Sequence, residues 1–233
     1  MKRYLFLPML FFAIWSQGQI ADSTTYLNDL KSEMEMEWPK NRTINIVFHG
    51  HSVPAGYFKT PQVNTMESYP NLLLKKLKAI YPFAVTNVIV TAIGGENSVQ
   101  GAERFESEVL IYNPDLILID YGLNDRICGL DKANVAWNQM IKLAKEKGIK
   151  VIVLTPSPDQ SINNADEVNE LKKHADQIRK IAAENQIGLA DSYQAFSFLY
   201  TNKEQLSKYM SQVNHPNELG HELIASELIK WLK

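Results

Sequence analysis

Apolar residues along this chain fall in short unbroken runs, separated by stretches in which they recur every three or four positions. The runs at 44–48, 84–92, 116–119, 151–154 and 187–190 predict five strands. Leu116-Ile117-Leu118-Ile119 and Val151-Ile152-Val153-Leu154 lack polar alternation, which is the pattern of strands buried on both faces. Helical spacing predicts helices over 66–81 and 98–112. A further helix carries Ala133, Trp137, Met140, Ile141 and Ala144, and a long one Val168, Leu171, Ala175, Ile178 and Ala182. The last helix starts near Pro216 and stripes Leu219, Leu223, Ile224, Leu228 and Trp231. Strands alternating with helices build βαβ units, so the expected class is α/β: three layers, with a five-stranded parallel sheet between helices. Neither repeat nor linker interrupts residues 41–233, which read as one domain behind a polar lead-in at 19–40.

Composition narrows the function classes. Of 233 residues, 45% are hydrophobic and 21% charged, an ordinary globular balance. Lys plus Arg is 24 against 26 Asp plus Glu, and no basic cluster is interleaved with aromatics, so no nucleic-acid partner is expected. The single cysteine, Cys128, excludes an intramolecular disulfide and a cysteine-based zinc cage. Residues 1–18 read as a signal peptide. Lys2 and Arg3 precede an apolar run at 4–15, and Ser16-Gln17-Gly18 places small residues before a cut at Gln19. The run is shorter than the roughly 20 residues a bilayer span needs. The expectation is therefore an exported protein, periplasmic or extracellular, with no stable membrane anchor after cleavage.

Parallel sheets bind ligands beyond the carboxyl ends of their strands. After the first run comes His49-Gly50-His51-Ser52-Val53-Pro54-Ala55-Gly56, after the second Gly94-Gly95-Glu96-Asn97, and after the third Tyr121-Gly122-Leu123-Asn124-Asp125-Arg126. Val213-Asn214-His215-Pro216-Asn217 leads into the last helix. Taken singly, Ser52 reads as a helix cap, the glycine pair as a tight turn, Asn124 as a cap or Asx turn, and His215 as a loop histidine. Together they supply a hydroxyl, backbone donors, an amide donor and a base, the four kinds of group that acyl transfer needs. The polar residues Glu96, Asn97, Arg104 and Arg126 beside these blocks are expected to bind substrate, and polar rims suit sugar hydroxyls better than acyl chains.

These blocks resemble the SGNH hydrolases, also called the GDSL esterase/lipase family. Gly50-His51-Ser52 with Gly56 is similar to the family's Gly-Asp-Ser block, Gly95 to its second block, and Gly122-Leu123-Asn124-Asp125 to its Gly-x-Asn-Asp block. His215-Pro216-Asn217 is similar to the terminal Asp-x-x-His block. The resemblance implies a flavodoxin-like fold and ester hydrolysis by Ser52, Gly95, Asn124 and His215, without cofactor or metal. Two positions depart from the pattern. His51 stands where the family has Asp, and Gln212 where the triad acid is expected. A backbone carbonyl orienting His215, or a carboxylate from elsewhere such as Asp159 or Asp191, are the two substitutes.

Competing readings fare worse. An α/β-hydrolase elbow needs Gly-x-Ser-x-Gly, whereas Pro54 follows Val53, and dinucleotide and P-loop motifs are missing. A metal site at His49, His51 and His221 is disfavoured because His49 ends a core strand. The expected function is an exported serine esterase acting on short-acyl, foremost acetyl, esters of carbohydrate, its partner a small-molecule or polysaccharide ester. The alternatives are an inactive glycan-binding protein on the same scaffold, and a lysophospholipase or thioesterase.

Overall fold

The structure, a computed structural model, describes residues 18–233; the expected signal peptide falls almost wholly outside them. In chain order the elements are α1 (Asn28–Glu35), β1 (Thr43–Gly50), α2 (Ser52–Ala55), α3 (Tyr69–Ile80), β2 (Val85–Val90), α4 (Ser98–Glu103), α5 (Phe105–Glu108) and β3 (Leu116–Asp120). Then follow α6 (Leu130–Glu146), β4 (Lys150–Leu154), α7 (Glu170–Asn185), β5 (Gly188–Ala190), α8 (Ser192–Ala195), α9 (Lys203–Ser207), β6 (Met210–Gln212), β7 (His215–Pro216) and α10 (Glu218–Ile229). Strands β1–β5 form one sheet in the order β2-β1-β3-β4-β5, and every pair is parallel.

The unbroken apolar runs fill both faces of this sheet. Ile46, Phe48, Leu118, Ile152 and Leu154 pack with Leu73 and Leu77 of α3 and Ile224 and Leu228 of α10. Val47, Ile117, Ile119, Val151 and Val153 point the other way, onto Trp137, Met140 and Ile141 of α6 and Ile178 and Ile181 of α7. Alternation along a strand gives each face its own half of the residues. The result is the expected three-layer α/β architecture.

Four local expectations are corrected. The lead-in is part of the domain: Leu27, Leu30 and Met34 are buried in the core, and the Tyr26 hydroxyl bonds both the carbonyl (3.2 Å) and the amide (3.1 Å) of Val151. The helix expected over 98–112 breaks at Arg104 (φ −105°, ψ 4°) into α4, α5 and a short 3-10 turn, because the Arg104 side chain turns back to Glu96. Val168 is outside α7 and exposed, since the Asn169 side chain accepts the Lys172 N–H and starts the helix at Glu170. Pro216 lies in β7, paired with β6 in a small antiparallel hairpin, and Asn217 caps α10 through the Leu219 and Gly220 N–H groups.

Candidate active site

The nucleophile turn follows from one close approach. At Gly50 an added Cβ would lie 2.4 Å from the Asp120 carbonyl oxygen and 2.7 Å from Pro54, so only glycine lets β1 run so tightly against β3. The next residue, His51, donates its N–H to that same carbonyl (3.2 Å). Its backbone is extended and its Nδ1 accepts the Val53 N–H (3.2 Å), which caps α2. Ser52 is therefore the first residue of a one-turn helix, closed after four residues by Gly56 at φ 87°. Backbone N–H groups in a first helical turn have no intrahelical partner.

His215 comes to Ser52 from the far end of the chain. The β6–β7 hairpin pairs it with Gln212, and the Ser211 hydroxyl braces the turn on the His215 and Pro216 carbonyls (3.1 and 3.2 Å). Ser52 Oγ and His215 Nε2 are 2.9 Å apart, and both residues are buried. Burial holds the His215 pKa below the usual 6.5; the Phe58 carbonyl on Nδ1 opposes that shift and His51 adds to it. The imidazole is consequently neutral, and able to take a proton, at any pH above the ordinary histidine range.

The other side of the ring carries the chemistry of the missing acid. Nδ1 lies 2.9 Å from the Phe58 carbonyl oxygen and 2.8 Å from Nε2 of Gln212. For Nε2 to accept the serine proton, Nδ1 must carry the hydrogen and donate it to Phe58. Gln212 cannot help, because the Thr60 N–H donates to its Oε1 (2.9 Å) and so turns its donor end toward Nδ1. That NH₂ group donates instead to Thr60 Oγ1 (3.2 Å). The two substitute carboxylates are occupied elsewhere. Asp159 is tied to Arg126 (2.8 Å) and Ser161 (2.6 Å), Asp191 to Arg179 (2.8 Å) and Thr155 (2.8 Å). Of the two routes left open by the sequence, the structure takes the backbone carbonyl.

The residues expected to hold an oxyanion come from two loops. The Ile93 N–H donates to the Gly50 carbonyl (3.0 Å), which docks the Gly94-Gly95 loop beside the nucleophile turn. Gly95 is exposed, with φ 85°, and an added Cβ there would meet nothing within 4 Å. Asn124 Nδ2 donates to the Glu96 carbonyl (2.8 Å), one residue beyond Gly95, and its second amide hydrogen has no partner among the described residues. Its side chain caps no helix. The following Asp125 is structural: buried, it accepts from the Ser98 N–H (2.8 Å) and the Trp137 indole (2.7 Å), while burial pushes its carboxyl upward.

The residues expected to bind substrate are otherwise engaged. Arg104 grips Glu96 in a bidentate ion pair (2.6 to 3.0 Å), both side chains nearly buried, and Arg104 also reaches Tyr121 Oη (3.3 Å). Asn97 caps α4 through the Val99 and Gln100 N–H groups. Arg126 donates to the Leu123 carbonyl (2.9 Å) and to Asp159. Through these contacts each of the four braces the loops beside Ser52 and His215. The histidines weighed as metal ligands also diverge. His49 bonds Thr91 (2.9 Å) and Tyr121 (3.1 Å), and His221 accepts the Tyr69 N–H (3.1 Å); burial lowers both to a pKa of about 3. His51, as described, caps α2.

Sequence reasoning missed Phe58, Thr60 and Tyr57. The Tyr57 ring lies 6.2 Å from His215, centroid to centroid, and rests against Gly94, where an added Cβ would sit 3.3 Å from it. It thus walls the space between base and oxyanion loop. An aromatic pair directly after Gly56 was the available signal.

A hydroxyl on a one-turn helix after β1, an imidazole returned to it by the terminal hairpin and amide groups after β2 and β3 are the arrangement that membership of the GDSL/SGNH family implies. The model of the GDSL-like lipase/acylhydrolase family matches residues 48–223, and the chain belongs to that family. It is 31% identical over 107 residues to an arylesterase of Vibrio mimicus, a match covering 45% of this chain and 50% of the arylesterase. The chain thus spans about half the length of that relative. Among solved structures it is similar to an acetylxylan esterase from Geobacillus stearothermophilus (TM-score 0.69, 18% identity, 81% of this chain and 94% of that one). It is also similar to a two-domain esterase active on acetylated mannans (TM-score 0.74, 18% identity, 93% of this chain and 54% of that one).

Proposed function

We propose that this protein is an exported serine esterase that removes short acyl groups, acetyl foremost, from carbohydrate. The observation that carries the chemistry is the 2.9 Å contact of Ser52 Oγ with His215 Nε2 in a family of ester hydrolases. Ser52 attacks the ester carbonyl as its proton passes to His215 Nε2, and the carbonyl oxygen becomes an oxyanion held by the Ser52 and Gly95 N–H groups and Asn124 Nδ2. Collapse breaks the ester bond, and His215 returns the proton to the departing sugar oxygen. Water then attacks the acyl-serine through the same base and oxyanion donors. The carboxylate leaves, and Ser52 regains its proton.

Three features support the finer reading. The Tyr57 ring stands between His215 and Gly94, where it would limit the length of an acyl group on Ser52. The acetylxylan and acetylmannan esterases share the fold. The charged start and apolar run of residues 1–18 support export, and among the described residues no helix is long and apolar enough to cross a membrane. The test is release of carboxylate from acetylated xylo- and manno-oligosaccharides, beside lysophospholipid and acyl-thioester controls. Acetate release from the oligosaccharides is expected. Preference for lysophospholipid or thioester would replace the substrate assignment, and glycan binding without turnover would favour the non-hydrolytic alternative. Tyr57→Ala is expected to raise the propionate-to-acetate ratio of kcat/KM by about tenfold, the lower end of the range for one methylene.

Gln212→Asp is expected to raise kcat on activated acetate esters by roughly tenfold or more. A carboxylate facing Nδ1 stabilises the imidazolium, whereas the amide donor now opposes the productive tautomer. The same change moves the acid limb of the kcat/KM profile upward, because a nearby negative charge favours protonated His215. An unchanged rate with an unmoved limb would show that position 212 no longer addresses the base.

A further inference from the structure

Beneath the nucleophile turn lies a buried imidazole–carboxylate pair. His51 Nε2 and Asp120 Oδ1 face each other at 3.4 Å, with His51 1% and Asp120 4% exposed. Neither atom has a hydrogen-bond partner among the described residues, so each is the nearest polar group left to the other. Asp120 ends β3, and its second oxygen accepts the hydroxyl hydrogen of buried Tyr69 (3.0 Å). The other ring nitrogen of His51 accepts the Val53 N–H, the cap of the helix that begins with Ser52.

These contacts assign hydrogens. Val53 N–H is a donor, so Nδ1 of His51 must present a lone pair, and the ring hydrogen must sit on Nε2, the nitrogen 3.4 Å from Asp120 Oδ1. A carboxylate on one ring nitrogen selects the tautomer in which the other is an acceptor. In a complete triad that service is performed on the base. Here, among the described residues, no carboxylate touches His215, and the same pairing serves the turn that carries the nucleophile. An aspartate at position 51 would cap Val53 directly, but it would stand against Asp120 as a second buried carboxylate. Histidine at 51 is what Asp120 makes favourable.

We infer that His51 and Asp120 form a coupled positioning pair, in which Asp120 holds His51 in the tautomer that caps α2 and so fixes Ser52 Oγ on His215. Neither residue touches the substrate. The inference rests on the esterase reading for its kinetic consequence but not for its tautomer.

The test is a double-substitution cycle with His51→Asp, Asp120→Asn and the two combined, read by kcat, KM and nitrogen resonances of the His51 ring. Asp120→Asn is expected to lower kcat by about ten- to a hundredfold, the range for an outer partner that orients an imidazole, with KM nearly unchanged. His51→Asp alone loses more, because two carboxylates then meet. Combined, they restore kcat to within about threefold of the unaltered protein, since the amide introduced at position 120 can donate to the new carboxylate while that carboxylate caps Val53. Residues acting only as packing would give additive losses, and additivity would overturn the pair. In the unaltered protein the ring resonances should show Nε2 protonated and Nδ1 free, and protonated Nδ1 would equally overturn it. That spectrum needs neither a variant to fold nor activity, so an inert protein would sink the esterase reading while the tautomer still decides the pair.

Discussion

Ser52→Ala is expected to lower kcat on an activated acetate ester by about 10⁴. In a complete triad, loss of the serine costs about 2 × 10⁶ and loss of the acid alone about 3 × 10⁴. If nothing replaced the acid here, the protein would already have lost most of that factor, and removing Ser52 would cost only about a further hundredfold. The Phe58 carbonyl supplies the orienting part of the acid's work at 2.9 Å from Nδ1, but no full negative charge. The expected loss therefore falls between those bounds. His215→Ala should cost about as much, and the double variant little more, because the two residues act as a unit. Steady-state kinetics on the three variants, with melting temperatures to show intact folding, checks this. A loss below about tenfold would remove Ser52 as nucleophile.

The second large effect belongs to Asn124. Asn124→Ala is expected to lower kcat by about 10²–10³, the cost of one oxyanion donor. Its side chain caps no helix and makes one inward bond, to the Glu96 carbonyl, so the stability change should stay near 1 kcal/mol, the size of a single hydrogen bond. KM should change little, because the interaction strengthens only as charge develops on the carbonyl oxygen. Kinetics paired with thermal denaturation separates the readings. A stability loss without a fall in kcat would make Asn124 a mere tie between the loops after β2 and β3.

Features that depend on near neighbours in the chain were readable from the residues alone. Unbroken runs such as Leu116-Ile117-Leu118-Ile119 carry burial on two faces in their own composition, so the central parallel strands were legible, as were the residues following each strand end. Ser52, Gly95 and Asn124 were legible because parallel strands deliver their carboxyl ends to one rim, whichever strands are neighbours, and His215 because it stands in the block that leads into the last helix. Periodicity did not reveal α1, whose few apolar positions are diluted by charge, nor the break at Arg104, which depends on Glu96. The pairing of polar groups emerged only in three dimensions, because a side chain's partner is chosen by approach in space rather than by separation in sequence. Glu96 and Arg104 look like free charges in a row of letters, yet they neutralise each other when the loop closes, since burying either alone would be costly. The same holds for the missing acid. That Gln212 turns its donor toward His215 is set by the Thr60 N–H, and that Phe58 orients the base is set by a backbone carbonyl, which every residue possesses and no sequence pattern can mark.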